Sequence, residues 1–128
     1  MVRELVHCTK EYWEFVRLLR SNPEVQSGFI DQVKITEEEQ IRYMTNNAQY
    51  YRICLVDKHP AGFVGVIADD IRVCTHPSYQ KKGVGKFMIE EIMKEFPTAF
   101  AKVKIDNQAS LQLFESCGFQ KQFYILRK

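Results

Sequence analysis

Residues 75–85 read Thr-His-Pro-Ser-Tyr-Gln-Lys-Lys-Gly-Val-Gly, and this stretch decides the fold. Residues 71–75 are rich in β-branched side chains and predict a strand that ends where the stretch begins. Residues 83–96 predict a helix, because apolar side chains recur there at helical spacing, at Val84, Phe87, Met88, Ile92 and Phe96. The chain therefore passes from a strand through a short loop with two glycines into a helix.

This loop carries the strongest chemical signal in the chain. Glycines let a backbone approach a ligand closely, and a helix N-terminus presents free N–H groups with a positive dipole. Three basic side chains add positive charge nearby, at Lys81, Lys82 and Lys86. The arrangement suits a pyrophosphate. The structural alternative is a helix that simply starts at a glycine-bearing turn. Two glycines at this spacing favour a binding loop over that alternative only weakly.

The rest of the chain alternates between strand and helix signals. Strands are predicted at 2–7, 50–56, 61–67, 71–75, 99–105 and 119–126. Helices are predicted at 10–20, from Thr36 onward, at 83–96 and at 107–117. The turn signal at 57–60 makes the second and third strands a hairpin, and residues 26–35 stay unassigned. Thr36 and Glu39 have the spacing of a capping box, and Gly118 is placed to end the last helix.

These elements predict an α/β (α+β) fold made as a single domain over residues 1–128. We expect a mixed, mostly antiparallel central sheet of about six strands, flanked by about four helices. Strands that a tight turn joins run antiparallel, so we expect the central strands to be antiparallel. The stretch from strand 71–75 through the helix to strand 99–105 is a βαβ unit, whose two strands should be parallel.

Composition narrows the class of function. Hydrophobic residues make up 45% of the chain and charged residues 27%, as in a globular protein with a core. A net charge of +2 argues against nucleic acid as the partner. No apolar run approaches the ~20 residues that span a bilayer, and the N-terminus lacks the features of a secretory signal. We therefore expect a cytoplasmic protein with no membrane partner, as a monomer or a homodimer.

The cysteines point to free thiols. The chain has four of them, none in a C-x-x-C pair, at Cys8, Cys54, Cys74 and Cys117. No histidine stands at zinc-finger spacing from any of them, so we expect no metal. In a reducing compartment such residues behave as small apolar side chains.

Two motifs resemble those of one known family. Gln80-x-x-Gly83-x-Gly85, after a strand and a proline, resembles the coenzyme A loop of the GNAT superfamily of N-acetyltransferases. Residues 107–119 resemble the N-x-x-A-x-x-L-Y-x-x-x-G-F pattern of the same superfamily. The resemblance covers residues 50–126, while residues 1–49 match only in having a strand and two helices. It implies transfer of acetyl from acetyl-CoA to a primary amine of a small molecule or protein, by direct attack in a ternary complex.

The resemblance also implies where the site lies. In such proteins the strand before the loop, here 71–75, splays from its neighbour at 99–105 and binds the thioester with free backbone groups. The catalytic candidates are then the backbone of Val73 and Thr75. A base would also help to deprotonate the amine, and Asp69, Asp70 and His76 flank this strand; Asp70 is taken as the catalytic candidate among them. The cofactor-binding candidates are Val73, Cys74, Thr75, Gln80, Lys81, Lys82, Gly83, Val84, Gly85, Lys86, Asn107, Ser110 and Phe114. Whether Cys74 faces the ligand or the core stays open.

This sequence departs from the family pattern at two positions. The tyrosine that often protonates the departing thiolate is Phe114 here, and the small alanine is Ser110. A phenylalanine side chain cannot protonate the departing thiolate. The alternative function is therefore a non-catalytic acyl-CoA-binding or sensor module of the same fold. A small α/β domain without coenzyme A is a second alternative.

Several candidate residues also have ordinary structural explanations. Asp69 and Asp70 can serve as turn residues, and His76 as an exposed loop residue. Asn107 can cap its helix as well as contact coenzyme A. The sequence does not identify the amine acceptor, the general base or the general acid.

Overall fold

The structure is a computed structural model that describes residues 1–26, 28–30 and 34–128. Its first half contains β1 (Arg3–His7), α1 (Trp13–Arg20), α2 (Pro23–Gln26) and α3 (Glu37–Asn47). Its second half contains β2 (Tyr51–Val56), β3 (His59–Ile67), β4 (Asp70–Thr75), α4 (Val84–Glu95) and α5 (Gln108–Ser116). Single turns of 3-10 helix lie at Lys10–Tyr12, Ala48–Tyr50 and Pro77–Tyr79. Within the described ranges, no helix is long and apolar enough to cross a bilayer.

The four strands form one antiparallel sheet in the order β1-β2-β3-β4. Two tight turns join β2 to β3 and β3 to β4, through Asp57-Lys58 and Ala68-Asp69. All four residues have positive φ, between 48° and 72°. Two consecutive residues of positive φ match the right-handed twist of a hairpin. The predicted hairpins are confirmed, with β3 beginning at His59 inside the predicted turn.

Local capping signals set the helix ends as expected. The N–H of Glu39 donates to Thr36 Oγ1 at 3.1 Å, and Thr36 N–H donates to Glu39 Oε1 at 3.4 Å, which confirms the capping box. Gly118 follows α5 with a φ of 91°. Pro23, expected to stop the first helix, begins the one-turn helix α2, because its fixed φ suits the first helical position.

Two core clusters lie on opposite faces of the sheet. The first core cluster packs α4 and α5 on the sheet and includes Val64, Met88 and Ile92. The second core cluster packs α1 and α3 on the other face and includes Val16, Met44 and Ile53. The helices of the second cluster are also tied to the end of β1 by hydrogen bonds. The indole of Trp13 donates to the carbonyl of Cys8 at 3.1 Å, and the side chain of Gln40 donates to the carbonyl of Trp13 at 2.8 Å.

The sheet has four strands where the sequence predicted about six. Residues 99–105 make one isolated parallel bridge, between Phe100 and Asp70, and residues 119–126 form no strand. The side chains from Phe123 to Leu126 are 72–90% exposed. A period-two pattern is local, whereas a strand also needs a neighbour with which to exchange hydrogen bonds. Residues 99–105 have the pattern but pair with β4 at Phe100 alone, and residues 119–126 pair with no described strand.

Candidate active site

The outer edge of β4 carries free backbone donors. Ile71 N–H points away from β3, since it donates to the carbonyl of Phe100 at 2.9 Å. His76 N–H points toward β3, since it donates to the carbonyl of Ala61 at 2.8 Å. N–H directions alternate along a strand, so those of Val73 and Thr75 point outward with that of Ile71. No backbone carbonyl in the described ranges accepts from either of these two groups.

Beside this edge, β4 and the following segment separate. Phe100 is fixed to the start of β4, since its N–H donates to the carbonyl of Asp69 at 2.7 Å. Beyond it, residues 101–105 make no ladder with β4. On its other side β4 pairs with β3 along its whole length, from Ile67–Asp70 to Gly62–Thr75. The expected pairing with β3 is confirmed. Residues 99–105 bridge β4 at Phe100 alone and form no strand, so the predicted second, diverging strand is not found there. We call the region between 72–75 and 101–105 the β4 cleft.

The loop after β4 ends in an uncapped helix N-terminus. Gly83 is the N-cap of α4 with a φ of 77°, and no side chain accepts a hydrogen bond there. The N–H groups of Val84, Gly85 and Lys86 belong to the first turn, which has no intrahelical acceptor to offer them. The Val84 side chain is buried, so this residue presents its backbone alone. The predicted polar and basic side chains nearby are exposed, namely Gln80, Lys81, Lys82 and Lys86.

Arg3 supports this loop, and the sequence analysis missed it. Its Nη1 donates to the carbonyl of Gly83 at 3.1 Å and to that of Lys82 at 3.4 Å. The guanidinium carbon lies 5.7 Å from the ring centre of Phe87 on α4. Seventy-nine residues separate Arg3 from Lys82, so no local pattern marks the contact. Through Arg3, strand β1 holds the glycine loop in place.

The second motif contributes a helix cap and a core residue. Asn107 Oδ1 accepts from the N–H of Ser110 at 3.1 Å, and its Nδ2 donates to the carbonyl of Gly28 at 3.1 Å. Asn107 is therefore the N-cap of α5 and also ties this helix to the segment after α2. Phe114 is buried in the first core cluster, edge-on to Phe119 at 5.2 Å between ring centres. It backs the site from inside the core.

The two faces of β4 differ in chemistry. Ile71 and Val73 pack in or against the first core cluster. Asp70, Arg72 and Cys74 alternate with them and point toward the face that α1 and α3 cover. The Asp70 carboxylate lies 3.8 Å from the Arg72 guanidinium, and the Asp70 side chain is 20% exposed. A carboxylate and a guanidinium thus lie on one face of β4.

The other two candidate bases have structural roles. Asp69 sits in the turn before β4 with a φ of 64°, and it accepts a hydrogen bond from Thr98 Oγ1 at 3.3 Å. His76 Nδ1 accepts from the N–H of Ser78 at 3.1 Å and so caps the turn of 3-10 helix. Asp70 is the candidate base whose carboxylate is not committed to a turn or a cap.

The family follows from a comparison of the whole sequence with known proteins. A sequence model of the acetyltransferase (GNAT) family matches residues 9–119. The chain belongs to this family. The resemblance carried by the two motifs is thereby confirmed, and it extends into the first half of the chain. A comparison with curated proteins gave no match.

Several solved structures share this fold at low identity. A domain from Methanocaldococcus jannaschii DSM 2661 is 22% identical, with a TM-score of 0.81 over 94% of this chain and 90% of that one. Spermidine N-acetyltransferase from Vibrio cholerae, in complex with CoA and spermine, is 17% identical, with a TM-score of 0.85 over 98% and 85%. The ribosomal-protein-S18-alanine N-acetyltransferase from Escherichia coli is 16% identical, with a TM-score of 0.68 over 95% and 80%. At this identity the likeness shows the fold.

The cysteines of this GNAT chain are free, as the sequence predicted. Cys74, whose direction the sequence left open, faces the second core cluster and is buried. Burial raises the pKa of the Cys74 thiol to about 12, although Arg20 opposes the shift. A thiol that stays protonated is a poor nucleophile. Cys74 therefore acts as a core residue beside the site.

Proposed function

We propose that this protein transfers an acetyl group from acetyl-CoA to a primary amine of a small molecule or a protein. The observation that carries the proposal is the pair of outward N–H groups at Val73 and Thr75, which open into the β4 cleft. Attack on a thioester places negative charge on its carbonyl oxygen. A fixed backbone donor stabilises that charge in the transition state.

The end of the β4 cleft suits the phosphates of the same molecule. The first-turn N–H groups of α4 and its dipole favour a pyrophosphate, with Lys81, Lys82 and Lys86 close by. The pantetheine arm would then run from this helix end along the edge of β4 to Val73. The solved Vibrio cholerae relative contains CoA, which supports an acyl-CoA substrate for a chain of this fold.

The amine must lose a proton before it attacks. An alkyl amine of pKa ~10.4 is neutral in only about one molecule in two thousand at pH 7. We assign this proton to Asp70, directly or through a water, because its carboxylate lies on β4, three residues before Val73. The neutral amine then attacks the carbonyl in a ternary complex, and the tetrahedral species expels the thiolate. The corresponding thiol has a pKa of ~8.5, so the thiolate is a tolerable leaving group near neutral pH. Water can protonate it, and the reaction needs no acidic side chain at position 114.

An amine panel tests the proposal. Purified protein is mixed with acetyl-CoA and primary amines, and free thiol is measured as it forms. We expect turnover with at least one amine, and we expect Asp70→Asn to lower kcat about 10²–10⁴-fold. Asp106→Asn, at a carboxylate 72% exposed to solvent, is the matched control and should leave kcat unchanged. Acetyl-CoA binding without thiol release from any amine would instead favour the non-catalytic binding module.

A further inference from the structure

Three residues pair in one row across the sheet, on the face that α1 and α3 cover. Tyr51 on β2 pairs with Gly65 on β3, and Gly65 pairs with Arg72 on β4. A Cβ on Gly65 would lie 2.5 Å from Cδ1 and 2.7 Å from Cε1 of Tyr51. The missing side chain at position 65 therefore lets the Tyr51 ring lie across β3. Its hydroxyl is carried toward the strand that holds Arg72 and the thioester donors.

Two residues from the helices complete a cluster around this hydroxyl. The phenolic oxygens of Tyr43 and Tyr51 are 2.7 Å apart, and the Arg20 guanidinium carbon lies 6.0 Å from the ring centre of Tyr43. Burial raises the pKa of Tyr51 well above its usual range, and Arg20 and Arg72 both act in the opposite direction. Both guanidinium groups are thus near one neutral, buried phenol.

Within the described part of the chain, the cluster carries more positive than negative charge. Arg72 has Asp70 as an ion-pair partner at 3.8 Å, and its side chain is 42% exposed. Arg20 forms no ion pair with any residue the structure describes, and it is partly buried at the end of α1. Among the residues that the structure describes, two guanidinium groups against one carboxylate give this cluster a charge of +1. Guanidinium groups bind carboxylates and phosphates through paired hydrogen bonds, and they repel cations.

We infer that the acceptor amine carries an anionic group, a carboxylate or a phosphate, which binds between Arg20 and Arg72. The inference rests on the proposed function, because it places the acceptor beside the strand that would hold the thioester, on the side of α1 and α3. Arg72 directly precedes Val73, so an anion held there lies close to the point of acetyl transfer. The Tyr43–Tyr51 pair fixes the wall of this subsite and offers a hydroxyl to the same anion.

Matched amines test the charge of the acceptor. One pair is 5-aminopentanoate and pentylamine, and another is 2-aminoethyl phosphate and ethanolamine, with spermidine as a cationic probe. We expect at least tenfold higher kcat/KM for the anionic member of one pair, expressed mainly in KM, and poor turnover of spermidine. The pair that shows the preference identifies the anion as carboxylate or phosphate.

Variants assign this preference to the two arginines. Arg20→Gln and Arg72→Gln should each reduce the ratio of kcat/KM between the anionic and neutral amines about tenfold. Arg72→Lys, which keeps the charge, should retain part of the ratio. Arg42→Gln, an exposed position on α3, is the control and should leave the ratio unchanged. Circular dichroism of each variant checks that it is folded.

Two outcomes would overturn the inference. Equal turnover of both members of each pair, or a preference for spermidine, contradicts it while leaving acetyl transfer intact. If no amine is acetylated, the proposed function fails, and calorimetry then decides the inference separately. In that case 5-aminopentanoate and 2-aminoethyl phosphate are titrated into CoA-loaded protein. Binding that Arg20→Gln and Arg72→Gln abolish supports the anion subsite, and no binding of either probe overturns it.

Discussion

Gly85 lies so close to Leu113 that a Cβ at position 85 would stand 2.9 Å from Leu113 Cδ2. The same Cβ would lie 3.5 Å from the Thr75 hydroxyl at the end of β4. The second glycine of the loop therefore has a packing role in addition to its N–H group. It lets the first turn of α4 approach both α5 and β4.

This close approach predicts coupling between positions 85 and 113. Gly85→Val should destabilise the fold by about 1–3 kcal/mol, because extra methyl groups overpack the contact. Leu113→Ala in the same chain should relieve part of that cost, since it removes the atoms that clash. Urea unfolding of both single variants and the double variant measures the coupling. Strictly additive effects would show that the two side chains do not compete for one space.

The contact between Arg3 and the loop predicts an indirect effect on coenzyme A affinity. Arg3→Gln removes the bonds to the carbonyls of Lys82 and Gly83, so the loop is held less firmly. Because Arg3 is exposed, we expect a modest loss of affinity, about two- to fivefold in Kd by calorimetry. Lys58→Gln removes a charge that pairs with Glu4 on the same strand at 2.9 Å. It should leave Kd unchanged, and an equal effect of both variants would argue for general charge alone.

The burial of Cys74 predicts direct transfer without an acetyl-cysteine intermediate. Cys74→Ala should keep most of the activity, at a cost in stability of about 1 kcal/mol for the small loss of core volume. Mass spectrometry of the protein mixed with acetyl-CoA alone should find no stoichiometric acetyl group on this thiol. An adduct on Cys74, together with an inactive alanine variant, would establish covalent catalysis in its place.

The buried thiols predict a loss of stability in alkali. Burial raises the pKa of Cys8 and Cys54 from 9.0 to about 11, and that of Cys74 to about 12. Above pH 9 the unfolded chain releases these protons while the folded chain retains them. The free energy of unfolding should therefore fall between pH 9 and 11, by at most about 1.4 kcal/mol per pH unit for each thiol.

Urea midpoints at pH 8, 9, 10 and 11 measure this effect. Cys54→Ala should show a shallower decline than the parent protein, because it has one buried thiol fewer. A Cys117→Ala variant serves as the control, since this thiol is less buried than the other three. A flat profile across this range would contradict the prediction.

Local chemistry explains what could be predicted from the sequence. The helix caps at Thr36 and Asn107, the stop at Gly118 and the turn at 57–58 depend on residues within a few positions of one another. The glycine loop and the helix that follows it also depend on residues that are close together in the sequence. For that reason the order of elements from residue 50 to residue 118 was predictable, apart from the segment at 99–105.

Long-range pairing explains what could not be predicted. The alternation at 99–105 and the apolar residues at 123–126 are real, but no local signal reports whether a neighbouring strand exists. The contact of Arg3 with the loop depends on how the first strand is placed. The row of Tyr51, Gly65 and Arg72 depends on strand register, which the two tight turns fix only once their lengths are known.

The hydrogen bonds of Trp13 have a spectroscopic consequence. This indole is the single one in the chain, and it is joined to Cys8 just after β1, while its backbone is joined to Gln40 on α3. Its emission will therefore report whether the two helices remain docked against the first strand. A fluorimeter can follow the unfolding of this half of the protein. A ligand in the β4 cleft will need a different optical probe.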